Sequence, residues 1–259
     1  VAWDSLTGDG VRHWASEAES RRFGISIGRV VVGYDAEPGE ALERRLVEVL
    51  DEAPEELLIV RYPSAASRLG AAAGRCAKQV IPADVLTYWE VPADELARVP
   101  DEVDPVLAVA PGEVTDAART ALETVLVDSF RGYGNHYTAN PALDPELALA
   151  GYLEWAMGAF EKDPHNAILL THDGVPVGAS TLTEGDGHLE IELAGMTGAS
   201  QGQGWYRLLL AGIGEEAIRR GLPRVIISTQ VSNVRVQRAW VRAGMKPFAA
   251  VTTLHVARR

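Results

Sequence analysis

The chain has 259 residues, 47% of them hydrophobic and 23% charged, enough for one large domain or two small ones of ordinary soluble composition. No apolar run approaches the roughly 18 residues of a membrane helix. The opening Val-Ala-Trp-Asp-Ser lacks the basic start and apolar stretch of a signal peptide, so the expectation is a cytoplasmic protein with no membrane association. A single cysteine, Cys76, excludes an intramolecular disulfide and a cysteine-rich zinc site, and a net charge of −12 argues against a general nucleic-acid binder.

The N-terminal block reads as a small α/β unit, with buried strands at 25–32 and 57–61 and an amphipathic helix at 40–51. Cys76 reads as a buried small residue on a helix. Pro92, Pro100, Pro105 and Pro111 are then interleaved with Asp and Glu. Four prolines so close discourage helix interior and central strand alike. This seam divides the chain into residues 1–104 and 105–259.

The second part is more regular. A short strand at 107–110 precedes a helix to about 130, for which Thr115 and Asp116 offer N-caps. Residues 131–144 have no period and read as a loop. Asp144-Pro145 starts a second helix, with proline in its first turn, running to about 160. Strands follow at 167–172, 177–183 and 188–196, with Asp173-Gly174 and Asp186-Gly187 as hairpin signals. After a glycine-rich turn at 201–204 come a helix to about 220, a strand at 224–229, a helix at 234–243 and a strand at 251–256. No internal repeat is found in the sequence. The layout is α+β.

Charge is uneven along the chain. Residues 166–259 carry 10 basic and 7 acidic side chains, whereas residues 1–165 carry 14 and 29. A basic third on an acidic body points to a local anionic ligand, such as a few phosphates. Arg219, Arg220, Arg224, Arg235, Arg238 and Arg242 supply most of that charge. The segment Gly198-Ala-Ser-Gln-Gly-Gln-Gly-Trp-Tyr-Arg207 leaves a strand and enters a helix. Glycines there let backbone N–H groups converge, and a helix N-terminus adds partial positive charge, so the turn can cradle a pyrophosphate. A tight strand-to-helix turn would look the same, and neither the P-loop nor the dinucleotide pattern fits.

The surroundings of this turn resemble the GNAT superfamily of N-acetyltransferases. Gln201-Gly202-Gln203-Gly204-Trp205-Tyr206 is similar to its Gln/Arg-x-x-Gly-x-Gly/Ala turn except at the last place. Phe23–Arg29, Tyr206-Arg207, Thr229–Asn233 and Thr253–His255 narrow the resemblance to the TDP-fucosamine acetyltransferase branch. The resemblance implies a mixed, splayed central sheet with flanking helices, behind a smaller N-terminal α/β domain. It implies acetyl-CoA as acyl donor and the primary amine of a small acceptor, such as a nucleotide-linked amino sugar or a secondary-metabolite amine. Leu193, Ala194 and Gly195 would meet the thioester carbonyl; the amides of Gln201, Gly202, Gln203, Gly204, Trp205, Tyr206 and Arg207 would hold pyrophosphate; Asn233 would bond the pantetheine arm.

One departure stands out: the family commonly has a tyrosine seven residues after the asparagine, as acid for the leaving thiolate, and here that place is Trp240. An indole N–H is no proton donor at neutral pH. The thiolate leaves unprotonated, another group such as Tyr206, Tyr137 or His255 serves, or the donor is no CoA thioester. The last option keeps an aminoacyl-tRNA or carrier-protein donor open, and a decayed, non-catalytic CoA-binding protein is a further alternative.

For proton abstraction from the amine the candidates are Glu192, nearest the carbonyl site, and His136 and Tyr137 in the loop that also carries Tyr133, Asn135 and Asn140. His188, Glu190 and Glu192 alternate and are expected on one strand face. No cluster at metal-ligand spacing occurs, so no metal is expected. The large apolar N-terminal elements leave room for a homodimer.

Overall fold

The computed structural model describes residues 2–98 and 107–258. Pro100, Pro105 and the boundary at 104/105 lie outside the described residues. In chain order the elements are β1 (Val11–Ala15), α1 (Glu17–Phe23), β2 (Ile27–Val32), α2 (Glu40–Glu52), β3 (Leu57–Pro63), α3 (Arg68–Ala73), β4 (Gln79–Pro92) and α4 (Ala93–Leu96). They continue with β5 (Leu107–Pro111), α5 (Asp116–Phe130), α6 (Pro145–Lys162), β6 (Ala167–His172), β7 (Val175–Gly185), β8 (His188–Met196), α7 (Tyr206–Arg219), β9 (Arg224–Gln230), α8 (Val234–Arg242) and β10 (Lys246–Ala257). Short 3-10 turns lie at Trp3–Ser5, His136–Ala139, Pro164–Asn166 and Gly198–Ser200.

Capping follows the sequence. Thr115 accepts from the Ala118 amide at the start of α5, and Asp144 accepts from Glu146 at the start of α6, whose first position is Pro145. Asp173 and Gly174 take the left-handed conformation that a tight hairpin needs. Cys76 is buried, as expected, but it follows α3 in a turn rather than lying on a helix.

All ten strands form one mixed sheet, in the order β1-β2-β3-β10-β4-β9-β8-β7-β6-β5. Its topology contains a repeat that the sequence does not display. The series β2-α2-β3-α3-β4 and β8-α7-β9-α8-β10 match element for element. Each begins with a parallel strand pair, β2 with β3 and β8 with β9. Each half then gives its last strand to the other: β10 pairs with β3, β4 pairs with β9, and β4 and β10 pair antiparallel between them. The halves diverge too far in residue type for a period to be read.

One sheet face carries two apolar clusters. Leu46, Val49, Leu50 and Leu69 of α2 and α3 pack on Val30, Val60, Leu254 and Val256. Leu209, Leu210 and Ile213 of α7, with Trp240 of α8, pack on Trp89, Ile191, Val225 and Ile227. Each such side chain contributes about 1.5–3 kcal/mol relative to exposure. The other face is covered by α1, α5, α6 and the 131–144 loop. There the register puts polar residues in line, because directly paired residues point to the same side: Arg61 opposes Thr253, and Thr253 opposes Asp84.

Candidate active site

The parallel pair β8 and β9 holds together only over Leu189–Ile191 and Val225–Ile227. The cause lies on the other edge of β8. Leu182 faces Ile191 and Thr181 faces Leu193, so Glu192 is the extra residue of a β-bulge. A bulge bends its strand and raises the local twist, and β8 leaves β9 at this point. Leu193, Ala194 and Gly195 therefore run along a gap in the sheet. Gly195 is required there: a Cβ would lie 2.5 Å from Ser129 Cβ, so α5 packs on bare backbone. The expected single face is kept by His188 and Glu190 but interrupted at Glu192 by the bulge. Glu190 is buried and accepts the Trp3 amide at 2.6 Å.

At the end of β8 the glycine-rich turn forms a concave run of amides. Gly202 (φ 86°) and Gly204 (φ 83°) are left-handed, and Trp205 (φ −67°) is right-handed. Such alternation points neighbouring N–H groups inward, and the start of α7 adds its dipole. Among the described residues no backbone acceptor outside the helix ladder meets the amides of Gly202, Gln203, Gly204, Trp205 or Tyr206. Nothing within 4 Å would meet a Cβ at either glycine. Arg235 donates to Gln201 Oε1 at 2.8 Å and Arg207 to the Arg242 carbonyl at 2.8 Å, so two guanidinium groups stand at the turn. The Trp205 ring does not fill it; it stacks on His172, with centroids 4.6 Å apart. The side chain of Gln203 is exposed. Arg219 and Arg220 are tied to Glu216, and Arg224 to Glu90.

One cavity of about 1300 Å³ joins the turn to the gap and continues beneath α1 and α6. Its donor-side wall includes Gly202, Gly204, Tyr206, Arg207 and Asn233; its far wall includes Glu19, Arg29, Arg61, Asp84 and His136. Asn233 caps α8, accepting from the Val236 amide, and its Nδ2 donates to Thr229 Oγ1 at 3.0 Å. Trp240 is 1% exposed, its ring edge-on to Trp89, and its Nε1 donates to the Tyr206 hydroxyl at 3.1 Å. Tyr206 thus brings a phenol from α7 to the position where α8 has an indole. Burial pushes this phenol up to about 12.

The proton-abstraction candidates separate. Burial, helped by the neighbouring Glu190 carboxylate, pushes Glu192 up to about 7, and its buried Oε2 meets no partner among the described residues. His136 and Tyr137 lie at the other end of the cavity. His136 Nδ1 meets His255 Nε2 at 3.0 Å, and burial together with the nearby Arg61 charge holds His136 well below its ordinary range. The Tyr137 hydroxyl donates to Glu19, which also takes both donors of a bidentate Arg29 bond. In the same loop Asn135 and Asn140 bond backbone amides, and only Tyr133 reaches β9, at Thr229 and Gln230. The Arg61 end of the cavity gave no sequence signal, because a lone arginine inside an apolar strand forms no motif.

A bulged, splayed parallel pair that faces an open run of amides is matched by known proteins. Residues 121–245 match the Acetyltransferase (GNAT) family model. This segment belongs to the GNAT family. A GCN5-related N-acetyltransferase from Sphaerobacter thermophilus superposes with a TM-score of 0.62 at 18% identity, over 96% of this chain and 78% of that one. Another from Kribbella flavida gives 0.57 at 16% identity, over 89% and 81%. A tandem GNAT protein from the clavulanic acid biosynthesis pathway gives 0.58 at 12% identity, over 89% and 75%. These likenesses show the GNAT fold along nearly the whole chain. No curated protein matches by sequence. The chain carries this acetyltransferase segment within a mixed sheet with flanking helices, and the shared chemistry of the family that the segment matches is acyl transfer from acetyl-CoA to a small acceptor. Among the described residues no group of three or more His, Cys, Asp or Glu is placed to hold a metal, and no helix is long and apolar enough to cross a membrane.

Proposed function

We propose that this protein acetylates the primary amine of a small acceptor that enters from the α1/α6 side of the sheet. The observation that carries the reading is one cavity that joins a run of unpartnered amides to a raised carboxyl group through the gap at the bulge. The amides of Gly202 to Tyr206, with Arg207 and Arg235, would hold the pyrophosphate of acetyl-CoA. Its thioester supplies an activated acyl carbon. Backbone donors along Leu193 to Gly195 that face the β9 side, where the pairing has ended, suit the oxygen charge that develops in acyl transfer. Asn233 faces the same cavity between them.

Glu192 takes the proton from the attacking amine; a carboxyl group near 7 is matched to that task. The C–N bond forms as the C–S bond breaks, and the departing sulfur receives its proton from the Tyr206 hydroxyl. The indole of Trp240 donates to the same oxygen and stabilises the phenolate left behind. A nucleotide-linked amino sugar, offered by the sequence resemblance, is one acceptor with the required amine.

Donor binding is tested without knowing the acceptor. Acetyl-CoA at a hundred times its dissociation constant stabilises a specific binder by about 2.7 kcal/mol, a rise in melting temperature on the order of 5–10 °C at this size. Wild type shows that rise and Gly204→Val, which puts a branched side chain at a left-handed position in the turn, loses it. No rise in wild type overturns the proposal.

A further inference from the structure

The far end of the cavity holds a buried guanidinium with two donors that meet no hydrogen-bond acceptor among the described residues. Arg61 lies on β3, 5% exposed, and its Nε and Nη1 meet no acceptor among the described residues. The nearest carboxylate network is already committed: Glu19 is bonded by Arg29, Tyr137 and Ser16. Beside Arg61 on the same sheet row, Thr253 Oγ1 and Asp84 Oδ2 are also buried without partners, as is His255 Nδ1 one residue pair along β10. Buried polar groups are ordinarily satisfied, and a buried guanidinium most of all. Three of these orphan atoms, Nε and Nη1 of Arg61 and Oδ2 of Asp84, belong to residues in the wall of the cavity that opens at the reacting gap, which suits them to a polar ligand.

We propose that Arg61 and Asp84, with Thr253 between them on the sheet, form an acceptor subsite for an anionic group carried well away from the reacting amine. This rests on the acyltransferase reading above. Arg61 supplies a planar fork of donors for a carboxylate or phosphate oxygen pair. Thr253 adds a hydroxyl, and Asp84 accepts from a ligand hydroxyl or N–H beside the anion. Arg29 is neutralised by Glu19, and Asp84 lies on the same row as Arg61, so an anion would be recognised by the free donors of the Arg61 fork rather than by a surplus of positive charge. Distance sets the shape of the acceptor. From β9, at the gap, to β3 is three strand spacings, about 14 Å. Less the reach of the arginine, amine and anion are separated by roughly 10 Å. An α-amino acid, with its charges two bonds apart, cannot span this.

The test uses hexylamine, glycine, 8-aminooctanoate and 8-aminooctyl phosphate as acceptors. Acetylation rates with saturating acetyl-CoA and calorimetric binding are measured for wild type, Arg61→Met, Arg61→Lys and Thr253→Val. Wild type binds 8-aminooctanoate or 8-aminooctyl phosphate at least tenfold more tightly than hexylamine and glycine. A preference for the first identifies a carboxylate source, for the second a phosphate source. Arg61→Met removes the preference through KM while leaving kcat within about threefold, Arg61→Lys restores part of it, and Thr253→Val weakens it without altering charge. Arg61→Met also melts close to wild type, because two buried donors without acceptors are removed; a purely structural arginine would lower the melting temperature. The subsite is overturned if no probe distinguishes wild type from Arg61→Met and Thr253→Val. Arg61-dependent anion binding without any acetyl-CoA effect on melting would leave the subsite standing and remove the acyltransferase reading.

Discussion

In the proposed reaction Glu192 changes its charge in every cycle, and its environment sets the pH at which it can. A carboxyl group raised from 4.5 to about 7 by burial binds its proton more tightly in the folded chain than in the unfolded one. The contribution to stability is therefore full below about 4.5, declines as pH rises through 7, and stays lost above. Glu192→Gln carries no such charge. It melts with wild type at pH 4 and above it at pH 8, by an amount on the order of 2 kcal/mol. Activity moves oppositely: wild-type kcat rises through about pH 7, while Glu192→Gln loses that rise and about 10²-fold or more in rate. Equal pH–rate profiles for the two proteins would remove Glu192 from the base role.

Tyr206→Phe keeps the packing against Trp240 but loses the hydroxyl. Acetyl-CoA still raises the melting temperature of this variant, whereas kcat falls about 10-fold or more with amine acceptors. An unchanged kcat would mean that the thiolate leaves unprotonated. Glu192 was singled out in the sequence by its nearness to the expected carbonyl site; strand alternation could not have placed it, because the bulge interrupts the alternation there. The phenol was legible only as one option among three, since Tyr206 and Trp240 are 34 residues apart and meet solely through the packing of α7 on α8.

Among the elements, those with a strong local signal were read nearly to the residue. α5 and α6 have side-chain caps, and the β6-β7-β8 meander has left-handed residues at both turns. The turn before α7 was legible for the same reason, since the glycines that its backbone requires are also the motif. β4 was missed. It is 14 residues long, carries Pro82 beside a bulge and ends on Pro92, and its first half lacks alternation. Proline is normally an edge residue, yet this strand lies in the middle of the sheet, where the bulge accommodates the missing donor. α1 and α3 were missed because seven and six residues give too few turns for a period. The bulge at Glu192 is equally invisible from one strand, because it exists only in the register with β7.

For the whole molecule, the exchange of β4 and β10 ties both halves of the cavity to a single sheet. Donor-side residues stand on β8 and β9, Arg61 on β3, and the two exchanged strands lie between them. The halves are expected to unfold together, and calorimetry of the intact chain checks this: one transition, whose enthalpy agrees with its van't Hoff value, and which acetyl-CoA shifts as a unit. Two resolved transitions, only one of them moved by acetyl-CoA, would contradict it.

The same exchange makes the last twelve residues of the sheet disproportionately consequential. A stop codon just before Lys246 would spare every group assigned to the donor, yet it would take the strand that fills the centre. The edges of β3 and β4 would then face each other across an empty lane, each a row of unsatisfied amides and carbonyls. Such paired open edges are templates for neighbouring chains, so the shortened protein is driven toward aggregation rather than toward a smaller working enzyme.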